Sequence, residues 1–294
     1  MNAGGVDCHM RLTVATAVLN ASGSGSLAAL ERCVRSVARL GEACEHVVYD
    51  GGSTDGTVER LLELALEIPS LHVFSEPDGG IYEALNKCLD RARGVYFHVL
   101  GADDWLLEPE RIAGCLDRAE RERLDLLMAR VELDDGSVSP ARHDGIFCCH
   151  QGLLMSTAAL KAQGGFDASY RIAADYKCIM RAHRDLLRIA TTDEAVAHFA
   201  GSGVSCGNQG MRRDEFLRAK ADVFGRTESE RAAILAAGTI PLGICRALMR
   251  APSPSTRRLG WKLLFGRLVY RKIRSADFSR RYLFGIPLVT HRRR

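Results

Sequence analysis

Apolar residues along the first hundred positions fall into short continuous runs and helical stripes that alternate. Residues 12–19 form a Val- and Thr-rich run of strand length. Leu27, Leu30, Cys33, Val34 and Val37 then recur at helical spacing and predict a helix over 27–40. A second short buried strand is expected at 45–49. It ends at Asp50-Gly-Gly-Ser-Thr-Asp-Gly-Thr57, where Asp55 is placed to N-cap a helix over 58–66. A third strand is expected at 71–75. Ile81, Ala84, Leu85, Cys88, Leu89 and Ala92 make the next helical stripe, with Gly94 expected at the C′ position, and 95–100 is the fourth strand. This rhythm implies an α/β chain built on an open, mostly parallel, Rossmann-like sheet flanked by helices.

Open sheets of this kind bind ligands beyond the carboxyl ends of their strands. The loops that fall there are 17–20, 50–57 and 101–105, and they carry the unusual polar residues of this half. Further on, the pattern predicts a helix over 109–123, a strand over 124–133 and a turn at Asp134-Asp-Gly-Ser137. It also predicts a strand over 146–155 interrupted by His150 and Gln151, a helix over 176–184 and a strand at 195–199. From Met211 the spacing is helical until Pro252 and Pro254 break it.

Composition narrows the class. Hydrophobic residues make up 47% of 294, so the chain can bury a core and is not a disordered polymer. The net charge of +4 is unevenly distributed: from Arg246 to Arg294 the only acid is Asp277. Over 259–274, Trp261, Leu263, Leu264, Leu268, Val269 and Tyr270 alternate with Lys262, Arg267, Arg271, Lys272 and Arg274. That reads either as an amphipathic basic helix resting on an anionic membrane surface or as a helix packed on the domain with a solvated charged face. No interleaved aromatic platform marks it for nucleic acid. The ten cysteines lack paired Cys-x-x-Cys spacing, and neither a secretory leader nor an apolar run of membrane-spanning length occurs. The expected location is the cytoplasm, with the inner membrane surface as the peripheral alternative. Neither a Gly-x-x-x-x-Gly-Lys-Ser/Thr loop nor a Gly-x-Gly-x-x-Gly fingerprint is present, and after Gly203-Val-Ser-Cys-Gly207 no long helical run is expected directly and the only histidine is His291 at the extreme end, which serves the hydrolase order poorly.

Several motifs occur in order: Thr13-Val-Ala-Thr-Ala-Val-Leu-Asn20, Asp50-Gly-Gly-Ser-Thr-Asp-Gly-Thr57, Glu76-Pro-Asp-Gly-Gly-Ile-Tyr-Glu-Ala-Leu-Asn-Lys87, Leu100-Gly-Ala-Asp-Asp104, His150-Gln151 and Gly165-Phe-Asp-Ala-Ser-Tyr-Arg-Ile-Ala-Ala-Asp175. Together they resemble a family 2 glycosyltransferase of the GT-A fold over residues 10–205. The chain departs from the usual pattern at Leu19, Glu83, Cys88 and Gly101. The resemblance implies a nucleotide-sugar-binding half at 11–105 and an acceptor-binding half at 106–210; outside it, the residue pattern leads to the expectation of a helical, basic C-terminal extension at 211–294 and a disordered 1–10. It implies an inverting transfer from a nucleotide-sugar donor, a UDP-sugar by default, to a glycan or lipid-linked acceptor, with Mn²⁺ or Mg²⁺ as cofactor.

The same resemblance distributes the roles. Thr16, Ala17 and Asn20 fall on the donor side. Asp50 would recognise the base, where the residue alone reads rather as a turn carboxylate. Asp103 would neighbour the ribose or metal, and Asp104 would ligate the metal, since two adjacent acids repel unless a cation or hydroxyl takes up the charge. Read without the family, Asp-Asp is a solvated turn that caps a helix. Gly80 opens a helix whose free N–H groups favour anions, with Asn86 and Lys87 about two turns along. Lys87 reads either as a phosphate ligand or as a solvated helix residue. Asp175 is the candidate general base on the acceptor side, or an N-cap for the helix that follows. His150, Gln151 and Arg171 are acceptor-side candidates, with a satisfied core histidine as the other reading of His150. Two rival functions are a nucleotidyltransferase on a similar sheet and a non-catalytic sugar-nucleotide or membrane-binding module.

Overall fold

The computed structural model describes residues 10–139, 148–201, 209–238, 240, 242–268, 270–274, 278–283 and 286–292. The first ten residues, save Met10, and the 202–205 part of the Gly/Ser loop lie outside the described residues.

Eight strands form the main sheet: β1 (Leu12–Val18), β2 (Cys44–Asp50), β3 (Leu71–Ser75), β4 (Tyr96–Val99), β5 (Trp105–Leu106), β6 (Leu126–Leu133), β7 (Leu153–Ser156) and β8 (Ile189–Phe199). Their order is β3-β2-β1-β4-β7-β6-β8-β5. The first four are mutually parallel, β6 runs parallel to β8, and the pairings of β4 with β7, β6 with β7 and β5 with β8 are antiparallel. The crossover helices α1 (Leu27–Ala38), α2 (Thr57–Glu67) and α3 (Ile81–Arg91) follow β1, β2 and β3, and α4 (Pro109–Arg121) precedes β6. The short α5 (Thr157–Ala162) and then α6 (Ala174–Arg184) follow β7.

The sheet is a middle layer. On one face Leu12, Val14, Cys33, Val37, Ile112 and Leu116 make a core under α1 and α4. On the other, Val47, Tyr49, Leu85, Phe97, Met155 and Ile179 make the core under α3 and α6. Burial on both faces explains why β1 and β2 read as continuous apolar runs instead of alternating.

Past β8 the chain continues as α7 (Gln209–Phe224), α8 (Glu228–Ala237), α9 (Leu242–Met249) and α10 (Pro254–Leu268). These helices share the α3–α6 core, because Ala219, Phe224, Ile234, Cys245, Leu248 and Leu259 all belong to it. The expected helix over 259–274 is corrected here. Helix α10 starts at Pro254, a favoured first position, and ends at Leu268. Tyr270–Arg274 is instead the first strand, β9, of a three-stranded antiparallel sheet with β10 (Phe278–Leu283) and β11 (Ile286–Arg292). The extension is therefore helical only as far as residue 268. Within α10, Leu259 is buried and Gly260 lies so close to the α9 backbone that a Cβ would come within 2.5 Å of the Met249 nitrogen.

Gly94 also differs from its expected role. Helix α3 ends at Ala92 in extended backbone, and Gly94 is not among the residues with positive φ. What Gly94 supplies is space: a Cβ there would overlap the Leu12–Thr13 backbone, and its N–H donates to Thr13 Oγ1 at 2.9 Å. The buried Glu45 carboxylate holds the same corner by accepting from Thr13 Oγ1 at 2.6 Å and from the Arg93 N–H at 2.7 Å. Substituting Gly94→Ala is expected to cost on the order of 3 kcal/mol through overpacking against backbone. Denaturant unfolding checks this, with a Gly41→Ala control whose positive φ is strained but whose Cβ meets nothing.

Candidate active site

The loops after β1 and β2 meet at the carboxyl edge of the sheet. The Asn20 N–H donates to Ser53 Oγ at 2.7 Å, and Asn20 Oδ1 accepts from the Thr54 N–H at 3.2 Å. Asn20 adopts φ 51°, a left-handed conformation that asparagine tolerates better than most residues. Asp55 accepts from the N–H of Gly23 and from the N–H of Thr57 at 3.1 Å, which fastens the first loop to the start of α2. The residue directly before the helix is Gly56, so Asp55 caps from one position further out.

Asp50 is fully buried. Its Oδ2 accepts from the Gly52 N–H, the Ser53 N–H and Ser75 Oγ at 2.8–2.9 Å, and its Oδ1 accepts from Ser53 Oγ. This geometry is that of a turn carboxylate. Thr16 departs from its donor-side expectation: it is fully buried, its hydroxyl donates to the Leu100 carbonyl at 2.9 Å, and it also bonds His46 Nε2. It anchors the end of the strand that carries the acidic pair. Ala17 is half-buried beside it on β1.

Asp103 and Asp104 follow β4. Asp104 is 1% exposed. Its Oδ2 accepts from Gln151 Nε2 at 2.5 Å and its Oδ1 from the Ala200 N–H at 2.9 Å. Burial pushes its pKa above the ordinary 3.8. The Ala200 and Gln151 bonds and the charge of His150 pull it back, and Asp103 adds to the rise. Among the described residues no Lys or Arg forms an ion pair with Asp104. Gly101 makes this crowding possible, because a Cβ there would run into Asp104 Oδ2 and approach Asp103 Oδ1 at 3.2 Å. The departure from the family pattern at this position thus has a steric reason.

These residues fit a divalent cation. A buried carboxylate with raised pKa and only neutral donors gains from a positive charge, and the buried Gln151 Oε1 beside it has no partner among the described residues. Among the described residues there is no cluster of three or more His, Cys, Asp and Glu side chains that could hold an ion. Mg²⁺ or Mn²⁺ bound largely through substrate phosphates needs only one or two carboxylates, and Asp104 with Asp103 would be the residues to supply them.

Asp175 lies in the first turn of α6 with its side chain 20% exposed. It is not the N-cap, a place taken by Ala173. Its Oδ1 accepts from the Tyr176 N–H at 2.8 Å and from Tyr82 Oη at 3.3 Å, and its Oδ2 lies 3.9 Å from His150 Nδ1. Burial raises its pKa, partly offset by His150 and by the Tyr176 and Tyr82 bonds. Asp175 and His150 line a small pocket, partly open to solvent, whose floor is Phe97, Leu153, Met155 and Phe166.

Neighbouring residues of one short turn, His150–Gly152, therefore address the two acids: Gln151 holds Asp104 and His150 faces Asp175. Gln151, expected on the acceptor side, belongs to the metal candidate. The turn is fixed from beneath. A Cβ on Gly152 would overlap the Ala129 carbonyl of β6, and the Cys148 thiol donates to that same carbonyl at 3.2 Å. Of the strand expected over 146–155, residues 146–147 lie outside the described residues, 150–152 curl into this turn, and the described strand begins at Leu153.

Asn86 and Lys87 depart from the donor side. Both ends of the Asn86 amide are used by Phe166, with Nδ2 donating to its carbonyl at 2.7 Å and Oδ1 accepting its N–H at 2.8 Å. Lys87 donates to the Pro77 carbonyl at 3.1 Å and sits between Glu76 and Glu83 at 3.6 and 3.4 Å. The Gly80 N–H, at the start of α3, already donates to Asp78 Oδ1 at 2.9 Å. The Gly79 N–H donates to Glu83 Oε2 at 2.9 Å. Arg171 is exposed, and what it contributes is its backbone N–H, donated to Glu215 at 2.8 Å. Tyr82 lies within the motif over 76–87 but takes no role from it, and Glu215 carries no motif signal; the contacts of both span more than 40 residues in sequence.

Residues 13–177, more than half the chain, match the family model described as Glycosyl transferase family 2. The chain belongs to glycosyl transferase family 2. This family 2 chain is 31% identical over 166 residues to a Mycobacterium bovis BCG protein named PGL/p-HBAD biosynthesis glycosyltransferase. The alignment covers 51% of this chain and 62% of that relative, so the chain spans about three fifths of the relative's length. Its fold is GT-A. The S. aureus TarS 1–349 structure in complex with UDP-GlcNAc superposes with TM-score 0.63 at 16% identity, covering 94% of this chain and 100% of that one. The mannosyltransferase PcManGT from Pyrobaculum calidifontis, in complex with GDP-Man and Mn²⁺, superposes with TM-score 0.58 at 19% identity, covering 86% and 85%.

The raised pKa of Asp175 carries a stability consequence. Between 3.8 and its higher folded value the native state binds more protons than the unfolded state. Stability therefore falls as pH rises through that window, and the ionised buried group is a burden at neutral pH. Asp175→Asn is expected to raise the thermal midpoint at pH 7, and the gain should shrink towards pH 4. A midpoint that drops equally at both pH values would contradict the burial account.

Proposed function

We propose that this family 2 member is a glycosyltransferase that moves a sugar from a nucleoside-diphosphate donor to a hydroxyl of a glycan or lipid-linked acceptor, with inversion and with help from a divalent metal. The observation that carries the reading is the pair of pKa-raised carboxylates, buried Asp104 and half-buried Asp175, addressed by neighbouring residues of one turn. Solved neighbours of the same fold hold UDP-GlcNAc, and GDP-Man with Mn²⁺, which supports a nucleotide sugar and a metal here. A UDP-sugar is the default donor.

Asp104, with Asp103, would hold the cation, which when bound offsets the charge of the diphosphate as it leaves. Gln151 and the Ala200 N–H fix Asp104 in one orientation, so no side-chain reorganisation accompanies the reaction. Asp175 takes the proton from the acceptor hydroxyl through Oδ2, the oxygen not used by Tyr176 and Tyr82. As that proton moves, the acceptor oxygen bonds to the anomeric carbon and the bond to the diphosphate breaks, so one displacement inverts the centre. A base with a pKa above 3.8 takes this proton more readily than an ordinary aspartate. Asp50 serves the donor through the loop it orders, where it fixes Gly52 and Ser53 beside Asn20. The nucleotidyltransferase rival would need a basic loop after β1, and Leu19-Asn-Ala-Ser-Gly23 holds no Lys or Arg.

Release of nucleoside diphosphate from a panel of UDP- and GDP-sugars tests the proposal. Asp175→Asn is expected to lose at least about a hundredfold in kcat while binding UDP with Mn²⁺ as the parent does. Full turnover in that variant would remove Asp175 from the mechanism. Turnover of no nucleotide sugar by the parent would remove the function.

A further inference from the structure

Asp175 stands in the first turn of a helix, where a carboxylate ordinarily serves the helix's own free N–H groups. One of its oxygens does so, through Tyr176. The other is left for chemistry because a different acid supplies the rest of the helix entry. Glu215, projecting from α7 and 9% exposed, accepts from the Arg171 N–H through Oε1 at 2.8 Å. Its Oε2 accepts from the Ile172 and Ala173 N–H groups at 2.8 and 3.0 Å. Three successive backbone donors, ending at the N-cap residue of α6, thus converge on one carboxylate from an element 40 residues downstream.

The contact does not stand alone. The next turns of α7 and α6 are joined by buried Lys177, whose Nζ bonds Asp167 at 2.7 Å and Asp222 at 2.9 Å. Asp222 also accepts from Tyr170 Oη at 2.6 Å and from Arg231 of α8 at 2.6 Å. Tyr170 and Lys177 of the 167–177 segment are thereby tied to a helix that lies beyond the family-matched residues 13–177, and Asp167 is held through Lys177.

We propose that Glu215 is a positioning residue for Asp175: by satisfying the backbone donors at the entry of α6 it fixes that turn and leaves Asp175 Oδ2 directed at the acceptor side. The proposal rests on the reading of Asp175 as the base. It makes the C-terminal helices part of the working site instead of an appendage. Without Glu215, the buried N–H groups of Ile172 and Ala173 would be left unpaired at the turn that leads into Asp175.

The test uses the full chain and the nucleotide sugar turned over fastest in the panel above. Glu215→Ala, Glu215→Gln and Thr256→Ala are compared. Thr256 bonds His183 Nδ1 at 2.9 Å near the far end of α6, so Thr256→Ala loosens the same helix away from the base. Turnover is divided by the number of UDP–Mn²⁺ sites found by calorimetry, which corrects for unfolded protein. Glu215→Ala is expected to lose roughly a hundredfold in kcat per site, as for a misplaced catalytic group, with donor KM within about twofold. Glu215→Gln, which keeps one acceptor oxygen, is expected to fall between Ala and the parent, and Thr256→Ala to keep its kcat per site. A Glu215→Ala variant that loses sites and turnover in proportion, or that matches Thr256→Ala in kcat per site, overturns the proposal. Full activity of Asp175→Asn would instead show that the base was misassigned, whatever Glu215 does.

Discussion

Gln151 donates to Asp104 at a place where water scarcely reaches, and the rest of the site is arranged around that bond. A carboxylate held at 1% exposure by an amide and a backbone N–H is oriented but not neutralised. Its raised pKa reflects that imbalance. The fold supports it at some steric expense. Gly101 leaves room for the two acid side chains to fold back over it, Gly152 must lack a side chain so that the turn can reach β6, and Thr16 ties the end of β4 to β1. A site tuned only for stability would have paired Asp104 with an arginine. Leaving that charge for a ligand to meet is the usual conflict between binding and stability.

The second acid repeats the logic with different parts. Asp175 is mostly buried among Tyr82, His150 and the apolar floor of the pocket, and one of its oxygens is committed to Tyr176 and Tyr82. Because His150 and Gln151 are neighbours on one turn, movement of that turn would disturb both acids together. This coupling gives a physical reason for the turn to be braced by Cys148 and Gly152 from below. The exposed surfaces tell less. Among the described residues no helix is long and apolar enough to cross a membrane, and the helices after residue 209 share the main core.

Much of the fold was legible because burial on both faces writes itself as apolar runs and stripes. Strands β1–β4 and helices α1–α4 fall within a few residues of their expected positions. Elements that depend on partners far away were not legible. β5 is two residues long and exists because Trp105 pairs with His198, with whose ring it stacks at 3.7 Å. α5 is six residues held by Ser156, whose hydroxyl accepts the Ala159 N–H. In the candidate site, motifs marked loops that lie at the carboxyl edge of the sheet but did not show which partners their side chains take. Thr16 and Asn86 carry the right letters, yet their polar atoms go to Leu100 and Phe166. Glu215 bears no motif, and only the three-dimensional approach of α7 to the entry of α6 reveals what it does.

The account depends most on the buried charge of Asp104 being met by a cation that arrives with the diphosphate. Calorimetric titration of UDP, with and without Mn²⁺, into the parent and into Asp104→Asn addresses that directly. The parent is expected to bind UDP at least about tenfold more tightly with Mn²⁺, a coupling of roughly 1.4 kcal/mol, and the variant to lose that dependence. Equal metal enhancement in both proteins would contradict the account.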